Sequence, residues 1–409
     1  MPLPRLSLAI QNTRKLHRSL YLSAAAMSRT MTITFLGTCS GGGPNESRNC
    51  SSLVIDGMDD RSLWMVDCAE GTTRQFAFQP SDTPTWLKAN TVNKMFITHM
   101  HADHCMGIIP MLRNILYPPS IDPHAFRPAN PFPKIEIYGP AGIRTFVRSI
   151  MTMTLTHTAD KYVVHELLRP DDVPTPCDPP EVMHANEVIG RDIRCDEDGF
   201  WKEITRGKGT LGDVLVDAGP ILHRDPCLGY VFREVVSPNR KIVILGDTYD
   251  PSPIAPLCMS ASLLIHEATD AHIPREIAPQ HKRSPETVLH TALARGHSIP
   301  QMAGEFAKTI NAEKLVLNHI GGRFPAPRHD HDPRLPVMRE IERQATEAWG
   351  CGRYAMAAWD FMRVAVPVPD PSSLLPQNVD QAYPLIEQTV YADPGADGML
   401  YINNKKRKW

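Results

Sequence analysis

The stretch F-I-T-H-M-H-A-D-H, residues 96–104, carries four potential metal ligands within six residues. It follows a buried strand that the apolar pattern predicts over Lys94–Thr98. A strand end fixes the position of a side chain while the following loop lets it face solvent. Zinc prefers imidazole and carboxylate ligands held in this way. Packing does not explain so dense a group of polar side chains, so the stretch predicts a metal site.

Other histidines and acidic residues also follow predicted strands. Each is a weak signal by itself, because a single histidine or aspartate at a strand end is usually structural. Parallel strand ends in an α/β fold meet at one edge, however, and that is where sites usually form. The candidates are His223 after Val214–Val216, Asp247 after Ile242–Leu245, His266 and Glu267 after Leu263–Ile265, and His319 after Leu315–Leu317.

The number of candidate ligands fits two metal ions and a metal-dependent hydrolase. Two ions about 3.5–4 Å apart suit the hydrolysis of a phosphodiester, since they stabilise both the attacking and the leaving oxygen. Asp247 has two carboxylate oxygens and can bridge the ions. The predicted sets are His99, His101 and His223 for one ion, and Asp103, His104 and His319 for the other.

Proton transfer needs further groups. Asp103 lies beside the expected bridging water and can accept its proton. His297 or His266 could protonate the leaving oxygen, with His297 preferred, and Glu267 could orient that imidazole. Asp67 ends another predicted strand, where it could hold a ligand imidazole or cap a turn.

Strands occur in both halves of the chain with helices between them. This order predicts two packed sheets with helices outside, a four-layer α/β sandwich, over residues 31–366. Residues 169–212 are rich in proline and acidic side chains and are interpreted as an inserted surface segment. Residues 367–409 form a Pro-rich and basic tail.

Composition limits the classes of protein and partner. The 409 residues are 42% hydrophobic, and the net charge of −2 implies nucleic-acid binding only through a local basic patch. The nine cysteines include no C-x-x-C pair, which favours free thiols in a reducing compartment. No apolar run reaches the roughly 18 residues of a membrane span, so we expect no membrane segment.

The first 30 residues contain five arginine or lysine side chains and no acidic residue. This composition is typical of a mitochondrial transit peptide. The alternative is a disordered extension before a second start at Met27 or Met31. Residues 405–408 could form a nuclear address or a solvated tail. A mitochondrial location is slightly favoured over a cytoplasmic or nuclear one.

Several short motifs accompany the histidine stretch, and together they resemble a known family. The chain looks like the metallo-β-lactamase superfamily and, within it, the short-form tRNase Z enzymes, which are ELAC-type zinc phosphodiesterases. The motifs are F-L-G-T at Phe35, V-D-C-A-E-G-T-T-R-Q at Val66, I-Y-G-P at Ile137, H-R-D-P-C-L-G-Y at His223, G-D-T at Gly246, H-E-A-T at His266, G-H-S at Gly296, A-E-K-L-V-L-N-H at Ala312 and A-W-D-F at Ala358.

The resemblance implies the metallo-β-lactamase fold, two zinc ions in the sets given above, and precursor tRNA as the substrate. It implies that Asp103 is the general base and that His297, in the G-H-S motif, is the proton donor. Arg323 matches a family arginine near the phosphate. Family members are often homodimers, which makes a homodimer an expectation for this chain.

The chain departs from the family in the parts that hold tRNA. The protruding arm that grips the tRNA elbow belongs between Tyr230 and Gly246, where this sequence is too short to form it. Gly321 and Phe324 stand where the family's H-x-S-x-R-Y motif has hydroxyl side chains near the phosphate. These departures keep two alternatives open: an arm-less phosphodiesterase acting on a cyclic nucleotide or short oligonucleotide, and a non-catalytic binding protein of the same fold.

Overall fold

The structure is a computed structural model that describes residues 30–81, 85–117, 131–329, 331–350 and 352–368. The expected transit peptide and nearly all of the expected Pro-rich tail lie outside the described residues. Within the described ranges, none of the helices combines the length and the apolar character that crossing a bilayer requires.

Strands dominate the described chain. In chain order they are β1 (Met31–Gly37), β2 (Cys39–Ser40), β3 (Ser52–Asp56), β4 (Leu63–Cys68), β5 (Val92–Phe96), β6 (Pro133–Pro140), β7 (Lys161–Leu168), β8 (Glu187–Val188), β9 (Asp192–Arg194), β10 (Trp201–Lys208), β11 (Asp213–Ile221), β12 (Cys227–Glu234), β13 (Lys241–Leu245), β14 (Leu263–Glu267), β15 (Leu315–Asn318), β16 (Ile320–Gly321), β17 (Ala355–Ala357) and β18 (Arg363–Val366).

Helices connect many of these strands. They are α1 (Thr72–Ala77), α2 (Ala102–Cys105), α3 (Ile108–Leu116), α4 (Ile143–Met153), α5 (Ala255–Cys258), α6 (Pro285–Ala294), α7 (Pro300–Thr309) and α8 (Leu335–Trp349). The sequence predicts helices over Ile143–Met153, Pro285–Arg295 and Pro300–Ile310; α4 has the first of these bounds, and α6 and α7 each end one residue earlier than predicted. The sequence did not predict α8, whose apolar positions are interrupted by charged side chains.

Two large sheets form the centre of the molecule. The first has the order β18-β1-β3-β4-β5-β6-β7-β8, with β9 also paired to β7, and the second has the order β10-β11-β12-β13-β14-β15-β17. Strands β4 to β7 run parallel, as do β13, β14, β15 and β17. The carboxyl ends of each parallel group therefore share one edge.

The sheets pack face to face through a shared apolar core. The ring centroid of Trp64 in the first sheet lies 6.1 Å from that of Phe232 in the second, and the ring of Phe96 in the first sheet contacts both. A second core joins α1, α3 and α4 to the outer face of the first sheet. A third joins α5, α7 and α8 to the second sheet. These layers form the predicted four-layer sandwich.

Residues 169–212 are not the irregular surface segment that the sequence predicted. Strand β10 forms the edge of the second sheet, and Trp201 at its start is buried in the core between the sheets. Gly207 lies so close to Trp64 that a Cβ atom there would overlap the ring. The register of β10 shifts between Trp201 and Thr205, which removes the regular alternation that would have revealed the strand.

The apolar residues of Tyr354–Val366 predict one strand, and the structure differs here as well. The segment divides into β17 in the second sheet and β18 in the first. The turn between them holds Asp360, which accepts hydrogen bonds from Thr38, from Gln75 and from the backbone of Asn49. These buried contacts fix the loops that follow β1 and surround the carboxyl edge of the sheets.

Candidate metal centre

The shared strand edge brings four of the predicted ligands together. His99 follows β5, His223 follows β11 and Asp247 follows β13. One ligand atom from each of these residues and from His101 lies within 4.8 Å of the others. The Nε2 atom of His99 is 2.9 Å from Nδ1 of His101, and Nε2 of His223 is 3.4 Å from that same Nδ1 atom.

A second group lies beside the first. Asp103 and His104 lie in α2, and His319 follows β15. The Nε2 atoms of His104 and His319 are 3.2 Å apart, and Oδ2 of Asp103 is 3.3 Å from Nε2 of His319. His319 adopts a positive φ of 53°, an uncommon conformation outside glycine. The turn after β15 thus directs this imidazole back toward α2.

Asp247 lies between the two groups. Its Oδ2 atom is 3.7 Å from Nε2 of His99, while Oδ1 is 3.4 Å from Nε2 of His104 and 3.3 Å from Nδ1 of His319. Burial alone would raise the pKa of Asp247, but the imidazoles of His319 and His104 outweigh it and hold the pKa well below its ordinary value. The residue therefore provides a carboxylate at the junction.

The donor atoms fit a tetrahedral metal. Uncharged imidazole nitrogens this close repel each other unless they share a proton or a cation. Nitrogens bound to one zinc ion at 2.0–2.1 Å lie roughly 3.4 Å apart in tetrahedral geometry. Burial and the neighbouring imidazole of His104 lower the pKa of His99, which keeps its ring neutral and able to bind a metal. The set of histidines and carboxylates fits zinc.

Polar groups behind the ligands fix their orientation. The Oδ2 atom of Asp67 is 2.7 Å from Nδ1 of His104, and its Oδ1 atom accepts a hydrogen bond from the backbone N–H of Thr98. His223 places Nδ1 2.6 Å from the carbonyl oxygen of Gly296. In each case the other ring nitrogen, Nε2, points to the candidate ligands, as second-shell partners of metal-bound histidines generally arrange.

His297 and Glu267 lie together at the margin of the two groups. The Nδ1 atom of His297 is 3.1 Å from Oε1 of Glu267, which also accepts the backbone N–H of Thr248. Burial lowers the pKa of His297, but the Glu267 carboxylate and its hydrogen bond outweigh this and raise it above the ordinary value. The carboxylate thus favours the protonated form of this imidazole and holds the ring in one orientation.

The expectation that His266 could act at the site is wrong. Successive side chains of a strand point to opposite faces of the sheet, and β14 directs Glu267 inward and His266 outward. The ring of His266 is fully buried beneath α7, 6.0 Å from the ring of Phe306 between centroids. Its Nδ1 atom is 2.8 Å from the carbonyl oxygen of Glu267.

A cavity of about 710 Å³ opens beside His297 and will be called the basic cavity. Arg323 lies in its wall, as a position near a bound phosphate requires. The sequence analysis missed the other cations of this wall, because they lie in loops and at a helix end without any motif. They are Lys282, Arg283 and Arg295, and Asp270 is the acidic residue among the lining side chains.

Arg224 is another cation that the sequence analysis missed. It is exposed, follows His223 directly, and contacts Gly296 beside His297. Among the described residues no carboxylate forms an ion pair with its guanidinium. Its position directly after His223 and close to His297 suits an anionic substrate. Its place in the H-R-D-P motif, directly after a candidate ligand, was a signal that could have identified it.

Comparison with known proteins agrees with this geometry. The profile of the anti-Pycsar protein Apyc1 family matches residues 31–129. The chain is 28% identical over 397 residues to bovine zinc phosphodiesterase ELAC protein 1, covering 83% of this chain and 99% of the relative. It is 30% identical over 318 residues to ribonuclease Z of Streptococcus sanguinis, covering 72% and 91%. This chain belongs to the ribonuclease Z family.

Solved structures place the ribonuclease Z fold on the same chain. The crystal structure of human tRNase Z, short form, matches with a TM-score of 0.56 at 30% identity, covering 83% of this chain and all of that one. The long form of RNase Z from yeast matches in fold at 18% identity and a TM-score of 0.51, covering 89% and 45%. The chain is accordingly a metal-dependent hydrolase with the metallo-β-lactamase fold, and the family and the donor set support zinc.

Replacing Asp67 with alanine should weaken zinc binding about 10- to 100-fold, because His104 loses the acceptor that fixes its ring. Competition with a chelating dye measures the affinity. Asp59→Ala is the matched control, since Asp59 lies at the opposite end of β4 and forms an exposed ion pair with Lys208. Equal zinc affinity of folded Asp67→Ala and wild-type protein would contradict the assigned role.

Proposed function

We propose that the chain is a zinc-dependent endoribonuclease that removes 3′ trailers from precursor tRNA. The observation that carries this proposal is that the basic cavity opens at His297, whose ring lies 5.1 Å from that of His223 and 5.6 Å from that of His319 between centroids. This chain covers 91% of the length of a ribonuclease Z relative, and a human tRNase Z shares its fold. A positively charged cavity at the reaction centre suits the phosphate backbone of RNA.

The proposed centre holds two metal ions. His99, His101 and His223 would bind one ion, and Asp103, His104 and His319 the other, with Asp247 bridging them. Two zinc ions held there would polarise the phosphodiester and acidify the attacking water. The bridging role of Asp247 is supported by the different histidines that its two oxygens face.

Two side chains would move protons. Asp103 is held by the backbone N–H of Gly41, which donates to Oδ2 at 2.6 Å, and the carboxylate remains partly exposed. It can therefore accept a proton from the attacking water. His297 has its Nδ1 atom beside Glu267, so Nε2 is the atom that would donate a proton to the leaving oxygen. Glu267 acts by positioning that ring.

A second candidate function is supported by one feature of the fold. Residues 235–240 alone connect β12 to β13, and a buried ion pair between Arg240 and Glu234 closes this hairpin. No protruding arm exists between these two described strands. A phosphodiesterase that acts on a short oligonucleotide or a cyclic nucleotide would not need one.

Incubation with precursor tRNA and zinc tests the proposed function. We expect one cut at the junction with the 3′ trailer and loss of cleavage in Asp103→Ala. A cyclic nucleotide and a short oligonucleotide without tRNA structure are offered in parallel. Cleavage of these small substrates while precursor tRNA stays intact would contradict the tRNA assignment and favour the second candidate. A homodimer and a mitochondrial address are also proposed. Sedimentation analysis would test the homodimer, and cell fractionation would test the location.

The role of His297 makes a separate prediction about leaving groups. Replacing His297 with alanine should slow cleavage of RNA about 10²- to 10⁴-fold, because a ribose alkoxide needs a proton to leave. Hydrolysis of bis(p-nitrophenyl) phosphate should slow far less, since nitrophenolate leaves without protonation. Steady-state rates on both substrates measure the difference. Equal losses on the two substrates would show that His297 does not act as the proton donor.

A further inference from the structure

The wall of the basic cavity contains an aromatic ring that the proposed chemistry does not use. His281 lines this cavity, and its imidazole lies nearly parallel to the ring of Phe324, with centroids 5.7 Å apart and planes inclined by 16°. Phe324 is fully buried and therefore fixed in position. Its ring contacts the imidazole from within the protein, since Phe324 has no exposed surface.

His281 provides an aromatic ring in the cavity wall, and the neighbouring side chains provide the positive charge. Burial and the nearby guanidinium groups of Arg283 and Arg323 lower the pKa of His281, which favours the uncharged ring. Lys282 and Arg295 are exposed on the same wall, and among the described residues neither forms an ion pair with a carboxylate. A neutral ring flanked by cations is the arrangement that proteins use to stack a base and hold its phosphate.

Gly322 leaves open space in the basic cavity that His281 lines. Gly322 lines the same cavity, and a Cβ atom built on it would meet only Asn45 Nδ2, at 3.7 Å. Its backbone is not in the left-handed region. Neither packing nor conformation requires glycine at this position, in contrast to Gly321, whose Cβ would overlap the carbonyl oxygen of Thr269. The absent side chain leaves the cavity wider at Gly322.

We propose that His281 is a stacking platform for one nucleobase of an RNA substrate, that of the nucleoside whose oxygen leaves the phosphate. The proposal rests on the proposed function, in which His297 protonates that oxygen. His281 and His297 line one cavity. The nucleoside oxygen that His297 protonates lies at this cavity. We therefore expect the base of that nucleoside to occupy the part of the basic cavity where His281 lies. Stacking is tolerant of sequence, because every base has an aromatic face.

A cleavage experiment with an abasic nucleotide tests this assignment. The abasic site is placed on either side of the scissile phosphate, and the leaving side is the one whose product ends in a hydroxyl. His281→Ala should lower kcat/KM about 5- to 150-fold on intact RNA and cause no further loss when the leaving-side base is absent. His281→Phe should restore the rate, because phenylalanine can stack. His290→Ala, which removes an exposed imidazole on α6 outside this cavity, is the matched control.

Equal losses for His281→Ala on intact and abasic RNA would overturn the proposal. A loss for His281→Ala that depends only on the base on the other side of the scissile phosphate would also overturn it. Gly322→Leu should reduce cleavage of intact RNA more than of leaving-side abasic RNA, because its side chain would narrow the cavity that the base enters. Loss on intact RNA no greater than on abasic RNA would also count against a base in this position.

A binding measurement separates this proposal from the proposed function. The zinc-loaded chain is titrated with a short oligoribonucleotide that ends in a hydroxyl after 2-aminopurine, so no cleavage is needed. Stacking on His281 should quench the fluorescence of the terminal base, and His281→Ala should abolish the quenching while His290→Ala keeps it. Quenching without any cleavage of precursor tRNA would contradict the proposed function only. Unchanged fluorescence in wild-type protein, with binding shown by anisotropy, would overturn the stacking proposal.

Discussion

The buried carboxylate of Asp247 is the group on which the rest of the site depends. A charge removed from water is costly unless opposite charges or hydrogen-bond donors surround it. Asp247 is 2% exposed and faces His99 on one side and His104 and His319 on the other. These histidines in turn need a cation or proton between them. A pair of zinc ions would satisfy both requirements, and the two ligand groups are arranged around this residue accordingly.

The fold places Asp247 by bringing the ends of its parallel strands to one edge. His99 follows β5 in the first sheet, whereas Asp247 and His319 follow β13 and β15 in the second sheet. The site therefore exists only when the two sheets pack together. The aromatic contacts of Trp64 with Phe96 and Phe232 maintain that packing. Stability of the core and geometry of the centre thus have one physical cause.

Much of this could be predicted from the sequence, because a strand followed by a polar ligand is a local pattern. The seven candidate ligands depend on such local signals, whereas the choice of His297 over His266 as proton donor followed from the family resemblance of its G-H-S motif. His266 was misplaced because alternation along β14 turns it away from its neighbour. Strand β10 was missed because a register shift hides its period. The cations of the basic cavity, and His281 with Phe324, meet only through tertiary folding, and no spacing along the chain reveals them.

Anomalous diffraction at the zinc absorption edge, from crystals grown with zinc, tests the central claim most directly. Two peaks about 3.5–4 Å apart are expected, with one oxygen of Asp247 within roughly 2.2 Å of each. The histidines of the two groups should divide between the peaks as the distances in the structure indicate. A single peak, or two peaks of which only one touches Asp247, would contradict the account.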